Sequence, residues 1–219
     1  MSGISYANFM KHAEKVTKSA GNTRPILQAA YHSEEGYVAV TDSHRLYIAE
    51  NVYEGGEKAE NPKTGDLVDG KYPDVTRIIP GEQSAQGMVE IKEVKGVAKA
   101  VKIIQQAATA PPHLSEKFTP KSKALARIFS HENNVYVATE KSCGIEAKLF
   151  IGKTNKSLDE DFNIYVNAEY LAQSFDVFKD AGIPAVTFRS HGNLSPFVIK
   201  GENVAIVISP SKNGDEEAE

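Results

Sequence analysis

The residue types that could do covalent or acid–base chemistry are few in this chain and poorly grouped. The 219 residues hold one cysteine, Cys143, and six scattered histidines. Cys143 has no cysteine partner, so neither an internal disulfide nor a thiolate zinc site is expected. A reactive thiol needs a specific electropositive setting, and Cys143 reads instead as a small residue near a strand start. The carboxylate pairs Glu34/Glu35 and Asp159/Glu160 sit in polar turns and read as solvated surface. The chain contains no GxxxxGK[ST] loop, no GxGxxG opening a helix, no HExxH and no GxSxG. No catalytic residue, metal or cofactor is therefore expected.

Lysines form the stronger pattern. Lys11, Lys15 and Lys18 recur at helical spacing in SYANFMKHAEKVTKSAG, apart from the apolar stripe of Tyr6, Phe9, Met10, Ala13 and Val16. Gly21 stops that helix. A second helix, roughly IKEVKGVAKAVKIIQQAA, sets Lys92, Lys95, Lys99 and Lys102 against Val94, Val97, Ala98, Val101 and Ile104. A single lysine stripe is the ordinary wet face of an amphipathic helix. Two such helices in a chain of net charge −4 concentrate positive charge locally, which suits sequence-independent contact with a phosphate backbone. That net charge argues against a uniformly basic nucleic-acid coat.

The elements that would position these residues fall into three blocks, each a helix followed by short strands. In the first, TRPILQAAYHS and YVAVTDSHRLYIAE read as strands, followed by the polar loop NVYEGGEKAENPKTGD. DGKYPDVTRIIPGEQSAQG reads as a connector. After the second helix, LARIFS, NNVYVATE and IEAKLFI are strand-like. The third block runs from FNIYVN through the helix NAEYLAQSFDVFKDAG to PAVTFRS, LSPFVIK and NVAIVIS. Hairpin-joined strands with single helices predict an α+β fold with antiparallel sheets and an internal repeat. No apolar run approaches the ~20 residues needed to span a bilayer. The N-terminus lacks the apolar core of a secretory signal. With one cysteine, these features predict a soluble cytoplasmic protein. The last residues, 211–219, read as an acidic tail.

Three further segments look structural when taken singly. TDSHRL (41–46) suits a polar turn, since Asp and Ser favour local backbone bonds. RPIL (24–27) and YPDVTRIIP (72–80) suit surface charge and a proline-punctuated linker. In combination and order they resemble the bacterial DNA polymerase III beta subunit family, the sliding clamps. That family carries a segment like RPIL, a strand ending TDxHRL and a junction like DGxxPDxxRxxP, here DGKYPDVTRIIP. Asn167 and Tyr170 match its Asn-x-x-Tyr helix start, and VAIVISP its terminal strand. The resemblance spans about residues 5–212.

The resemblance implies a DNA-clamp fold of repeated helix-plus-sheet units and a non-enzymatic role in DNA replication as a polymerase processivity factor. It implies one composite pocket for short Gln-, Leu- and Phe-rich peptides of polymerases and other partners. The lining it implies is Leu27, Thr41, Ser43, His44, Arg45, Leu46, Pro73, Arg77, Ile78, Asn167, Tyr170, Val207, Ile208 and Pro210. Leu27, Leu46, Ile78 and Val207 would form the apolar slot, with Arg77, His44 and Asn167 at its rim. The lysines of the two helices would contact duplex DNA. Compared with the family the chain is shortened, as in a phage- or mobile-element-encoded form. A clamp domain over 1–80 and a second over 81–210 are expected. Ser209, Ser211 and Lys212 stand where the family has larger apolar residues and an arginine. The family ring counts twelve half-domains. Four copies of three halves, three copies of two domains, or a chain that never encircles DNA all remain open. In the last case the protein would be a clamp relative that competes for clamp-binding peptides.

Overall fold

A computed structural model describes residues 3–21, 24–109, 124–139, 145–154 and 162–211. Cys143, Asp159, Glu160, Lys212 and the acidic tail beyond Ser211 lie outside the described residues. Three α-helices are described: α1 (Tyr6–Ser19), α2 (Val94–Thr109) and α3 (Ala168–Asp180). Phe9, Ala13 and Val16 are the buried stripe of α1, and the Ser5 hydroxyl accepts the Asn8 N–H to cap its start. Val94, Val97, Ala98, Val101, Ile104 and Ala108 are the buried stripe of α2. Asn167 caps α3 by accepting the N–H groups of Glu169 and Tyr170. Helix α3 packs on α2 and also touches α1, so it lies between the other two.

The strands are β1 (Ala30–His32), β2 (Val38–Thr41), β3 (Arg45–Ala49), β4 (Lys58–Glu60), β5 (Gly87–Lys92) and β6 (Leu125–His131). They continue with β7 (Asn134–Thr139), β8 (Lys148–Lys153), β9 (Asn163–Asn167), β10 (Ala185–Ser190), β11 (Phe197–Gly201) and β12 (Val204–Ile208). An eight-stranded sheet has the order β4-β1-β2-β3-β12-β11-β10-β5, and a four-stranded sheet β8-β7-β6-β9. Every pairing in both is antiparallel. The fold is α+β with antiparallel sheets, as expected. The larger sheet runs across the boundary expected at residue 80.

Local differences from the sequence reading have simple causes. Val89 and Ile91 are buried while Glu90 and Lys92 are exposed, a period of two that makes 87–92 a strand. Glu93 then takes φ 54°, and the helix starts one residue later, so Lys92 belongs to β5 and not to α2. Pro25 opens a 3-10 turn over Pro25–Gln28 where a strand was expected. The loop after residue 50 contains the short strand β4, held against β1.

The described elements between residues 87 and 208 form two β-α-β-β-β units, β5-α2-β6-β7-β8 and β9-α3-β10-β11-β12. The leading strand of each joins the other's sheet, β5 beside β10 and β9 beside β6. Helix α1 with β1, β2 and β3 is a third unit, joined to the last by pairing β3 with β12. The repeat expected at structural level is thus present. The main core lies between the helices and the sheets. A second apolar cluster covers the opposite face of the larger sheet with Ala39, Leu46, Ile48, Tyr72, Val75, Val198 and Val207. Among the described residues no helix is long and apolar enough to cross a membrane.

Candidate functional site

The turn between β2 and β3 is built by its own side chains. Asp42 Oδ1 accepts the backbone N–H groups of His44 and Arg45 at 3.0 Å each. Thr41 Oγ1 donates to the Arg45 carbonyl at 2.7 Å and accepts the Ser43 N–H, which lets Ser43 take φ 76°. His44 and Ser43 are left exposed at the tip. The next strand then alternates, and this alternation divides the expected lining between two faces.

Arg45 points to the helix face. Its Nε donates to Asp42 Oδ2 at 3.0 Å, and both side chains are almost fully buried. One terminal nitrogen reaches Gln173 Oε1 at 2.6 Å, the other Ser19 Oγ at 3.1 Å. The guanidinium carbon lies 4.2 Å from the centre of the Tyr170 ring. Ile208 lies opposite Arg45 in the register, and Asn167 caps the helix that carries Tyr170. The Ser209 N–H donates to the His44 carbonyl, which brings Pro210 beside the turn. The His44 ring stacks near Tyr170 at 6.4 Å. This group joins α1, the hairpin and α3.

Thr41, Leu46 and Val207 point the other way. Val207 and Leu46 are directly opposed across β12 and β3, and Thr41 opposes Leu46 across β2. Tyr72 and Val75 from the connector close over them. The Tyr72 hydroxyl accepts the Thr41 N–H at 3.2 Å and donates to the Ala29 carbonyl at 3.4 Å. Burial raises the Tyr72 hydroxyl well above its ordinary pKa, so it stays a neutral donor. Leu46 is 2% exposed and Val207 3%, whereas Ile78 is 46% exposed. Pro73 is exposed, and Arg77 projects into solvent in an ion pair with Asp74 at 2.8 Å. Leu27 is buried in the 3-10 turn. The structure therefore brings Thr41, Leu46 and Val207 together, and separately Arg45, His44, Tyr170, Asn167, Ile208 and Pro210. Ile78 and Arg77 stand outside the buried cluster.

Sequence reasoning missed Tyr72, Val75 and Asp42, which hold these groups in place. Tyr72 and Val75 sit three apart inside the connector, the one signal that a buried edge runs through it. Also on this face is an open cleft of about 470 Å³, with Tyr31, Tyr37, Tyr72, Lys58, Lys71 and Pro73 in its lining. Tyr31 and Tyr72 stack at 5.3 Å. Burial, with a hydrogen bond to Glu57, pushes the Tyr31 hydroxyl up to about 12.

All seven lysines of the expected stripes are exposed. Lys11, Lys15 and Lys18 lie on α1 and Lys95, Lys99 and Lys102 on α2. Lys18 pairs with Glu14 at 2.8 Å and Lys92 with Glu90 at 3.3 Å. Between the two lysine helices, α3 carries Glu169, Asp176 and Asp180. Two histidines are buried elsewhere. His12 Nε2 is 3.2 Å from Asp180, and His32 Nε2 is 3.0 Å from the Tyr6 hydroxyl, which donates to Glu60. Among the described residues no group of three or more His, Cys, Asp or Glu side chains could hold a metal ion.

No protein-family model and no curated protein matches the chain. Solved structures do. The DNA polymerase III beta chain of Streptococcus pneumoniae superposes with a TM-score of 0.71 at 16% identity, over 97% of this chain and 65% of that one. The DNA polymerase sliding clamp of Bacillus subtilis gives 0.70 at 15% identity, over 97% and 64%. The beta subunit of Streptococcus pyogenes DNA polymerase gives 0.70 at 16%, over 94% and 64%. The chain thus has the sliding-clamp fold and spans just under two thirds of the length of these clamps.

Proposed function

We propose that this chain is a clamp-type processivity factor, a non-enzymatic protein that tethers a DNA polymerase and other replication proteins to duplex DNA. The observation that carries this reading is the meeting of Leu46 with Val207 under Tyr72 and Val75 of the connector, in a chain of sliding-clamp fold. These three segments are far apart in sequence, and the resemblance puts each of them in one peptide site. In this reading Leu46, Val207 and Thr41 form its floor, and Leu27, buried in the 3-10 turn, is assigned to the site by the resemblance alone. His44, Ser43, Asn167 and Pro210 make its polar end. Arg45 and Tyr170 hold the turn that carries His44, and Ile208 supports them from the helix face. Pro73, Arg77 and Ile78 form the opposite wall.

Leu46 and Val207 are nearly closed off, so a peptide's Leu or Phe first meets the exposed Ile78 and then displaces part of the covering segment. The lysines of α1 and α2 contact phosphates without reading sequence. Copies of the chain close a ring around the duplex.

Two measurements test the reading. Fluorescence anisotropy with a labelled Gln-, Leu- and Phe-rich peptide should show binding that His44→Ala and Leu46→Ala each weaken. Protein loaded on nicked circular DNA should be retained and then released when the circle is linearised. Absence of peptide binding removes the partner-binding half of the proposal. Equal retention on circular and linear DNA removes the tether.

A further inference from the structure

The smaller sheet has a face that the proposed function leaves unused. Helices α2 and α3 pack on one side of this sheet, and the core lies on that side. The register fixes what the other side carries. One row across the four strands reads Asn163, Phe129, Tyr136, Phe150, and the next reads Tyr165, Arg127, Ala138, Lys148. Phe129 and Tyr136 lie on the two central strands, β6 and β7, with ring centres 5.5 Å apart. Phe150 meets the Tyr136 ring edge-on at 5.8 Å. Phe150 is 49% exposed, and Phe129, Tyr136 and Tyr165 are half-buried.

The charges on this face have one sign. The guanidinium carbon of Arg127 lies 4.5 Å from the centre of the Phe129 ring. The Lys148 ammonium lies 3.8 Å from the centre of Tyr136 and 5.1 Å from that of Phe129. Strands β6, β7, β8 and β9 contain no Asp or Glu at any position, in a chain that holds 29 of them. Neither row holds a Leu, Ile or Val, so the apolar area is supplied by rings. Rings with cations beside them and no carboxylate suit a ligand made of flat π-faces joined by anionic links.

We propose that the outer face of the smaller sheet binds single-stranded nucleic acid, with bases stacked on Phe129, Tyr136 and Phe150 and phosphates held by Arg127 and Lys148. A four-stranded sheet with exposed aromatics stacks unpaired bases in this way. Such stacking tolerates any sequence, because every base has a π-face. A duplex does not fit, since its bases stack on one another and hide their faces from side chains. In the free chain the rings are covered by their own cations. A base takes that place on the ring, and the displaced cation meets the phosphate that the base brings. Helix α2 packs on the opposite side of the sheet, so its lysines and these rings form separate sites. The inference rests on this sheet alone, and on neither the peptide site nor the ring around the duplex.

Fluorescence anisotropy with a labelled oligothymidylate of about ten nucleotides, at about 50 mM salt, tests the proposal. Binding with Kd below about 100 µM is expected. Tyr136→Ala and Phe150→Ala should each weaken it roughly tenfold, whereas Phe150→Tyr, which keeps a ring, should not. Lys148→Ala should reduce the slope of log affinity against log salt by about 0.7. Phe150 is half exposed, so its replacement should leave the thermal midpoint nearly unchanged and the variant folded. An oligonucleotide carrying iodouracil should cross-link under ultraviolet light to Phe129, Tyr136 or Phe150. Absence of binding, binding that both alanine variants leave unchanged, or cross-links confined to α1 or α2 overturns the inference. So does polyglutamate that displaces the oligonucleotide as well as unlabelled oligothymidylate does, since the face would then serve an acidic protein. A chain that holds clamp-type peptides and stays on circular DNA but fails these tests loses this inference only. One that passes them and is not retained on circles keeps it.

Discussion

The guanidinium of Arg45 lies over the ring of Tyr170, 4.2 Å from its centre, while its Nε holds the buried carboxylate of Asp42. This places a charge-paired strut between the 41–46 turn and α3. Removing one partner of a buried pair leaves the other charge uncompensated, at a cost of about 3–5 kcal/mol. Arg45→Ala and Asp42→Ala should each reduce the unfolding free energy, read from urea melts, by that order. The double substitution should cost clearly less than the sum of the two. Additive costs in the cycle would show that the pair does not act as a unit. Arg45→Lys should not restore stability, because an ammonium cannot reach Asp42, Ser19 and Gln173 together.

Tyr72 is the fastener of the connector. Tyr72→Phe keeps the ring among Leu46, Val75 and Val207 but leaves the Thr41 N–H without its acceptor. A buried donor left unpaired costs about 1–3 kcal/mol. Tyr72→Ala adds a cavity and should cost about 3–5 kcal/mol. If the connector is what limits entry to Leu46, Tyr72→Ala should also raise protease cleavage within residues 70–80. Denaturant melts and limited proteolysis read both effects, and an unchanged Tyr72→Phe midpoint would contradict them.

Which parts of this arrangement are legible in the sequence follows from periodicity. The stripes of α1 and α2 and the alternating strands of the last unit announce themselves, because one buried face imposes one period. The segment 87–92 is ambiguous because Ile91 and Val94 fit both a strand running into a helix and a longer helix. Only the backbone turn at Glu93 separates the two. The division of the candidate site is a register effect. Residues 45 and 46 are neighbours in sequence but face opposite sides of the sheet, as do 207 and 208. A resemblance that names all four says nothing of which face each one takes. Asp42 is hidden for another reason: a buried carboxylate reads as a surface turn until its arginine is seen to fold back on it.

Gly152 fixes where the two sheets meet. A Cβ there would lie 2.6 Å from Val89 Cγ1 and 2.8 Å from the Glu90 carbonyl oxygen, which is backbone and cannot step aside. Gly152→Ala should therefore push β8 from β5 and cost about 1–3 kcal/mol, as overpacking does. Thermal unfolding measures this, and a variant as stable as the parent would show that the packing there has slack.

The lysines of α1 and α2 carry a prediction that depends on salt. Each phosphate left unneutralised by a substitution should reduce the slope of log affinity against log salt by about 0.9. Lys95→Glu, Lys99→Glu and Lys102→Glu together should flatten the slope and weaken binding to duplexes of any sequence. Lys18→Glu should do less, since Lys18 is already partly neutralised by Glu14. An unchanged slope in the α2 triple variant would remove these lysines from the proposed DNA contact.

Acid sensitivity should come from three histidines. Burial lowers the pKa of His12 from 6.5, helped by Lys15 and opposed by Asp180 and Asp176. Burial likewise lowers His32, with Lys58 helping and Glu60 opposing, and it lowers His191. The Tyr6 and Tyr53 rings also pack on His32. A histidine whose folded pKa is depressed binds fewer protons than its unfolded counterpart. Stability therefore rises with pH through this window. It is fully present above the unfolded value of about 6.5 and fades as pH falls from there toward the depressed folded values. Burial would raise the Glu60 carboxyl, but the Lys58 and Tyr6 bonds outweigh it and hold the group below its usual range. Its contribution disappears only at lower pH, which separates the two effects. The thermal midpoint should fall between pH 7.5 and 5.5, and His12→Gln should make that fall shallower. A midpoint that rises on acidification in this range, or a His12→Gln profile parallel to the parent's, would remove these histidines as the cause.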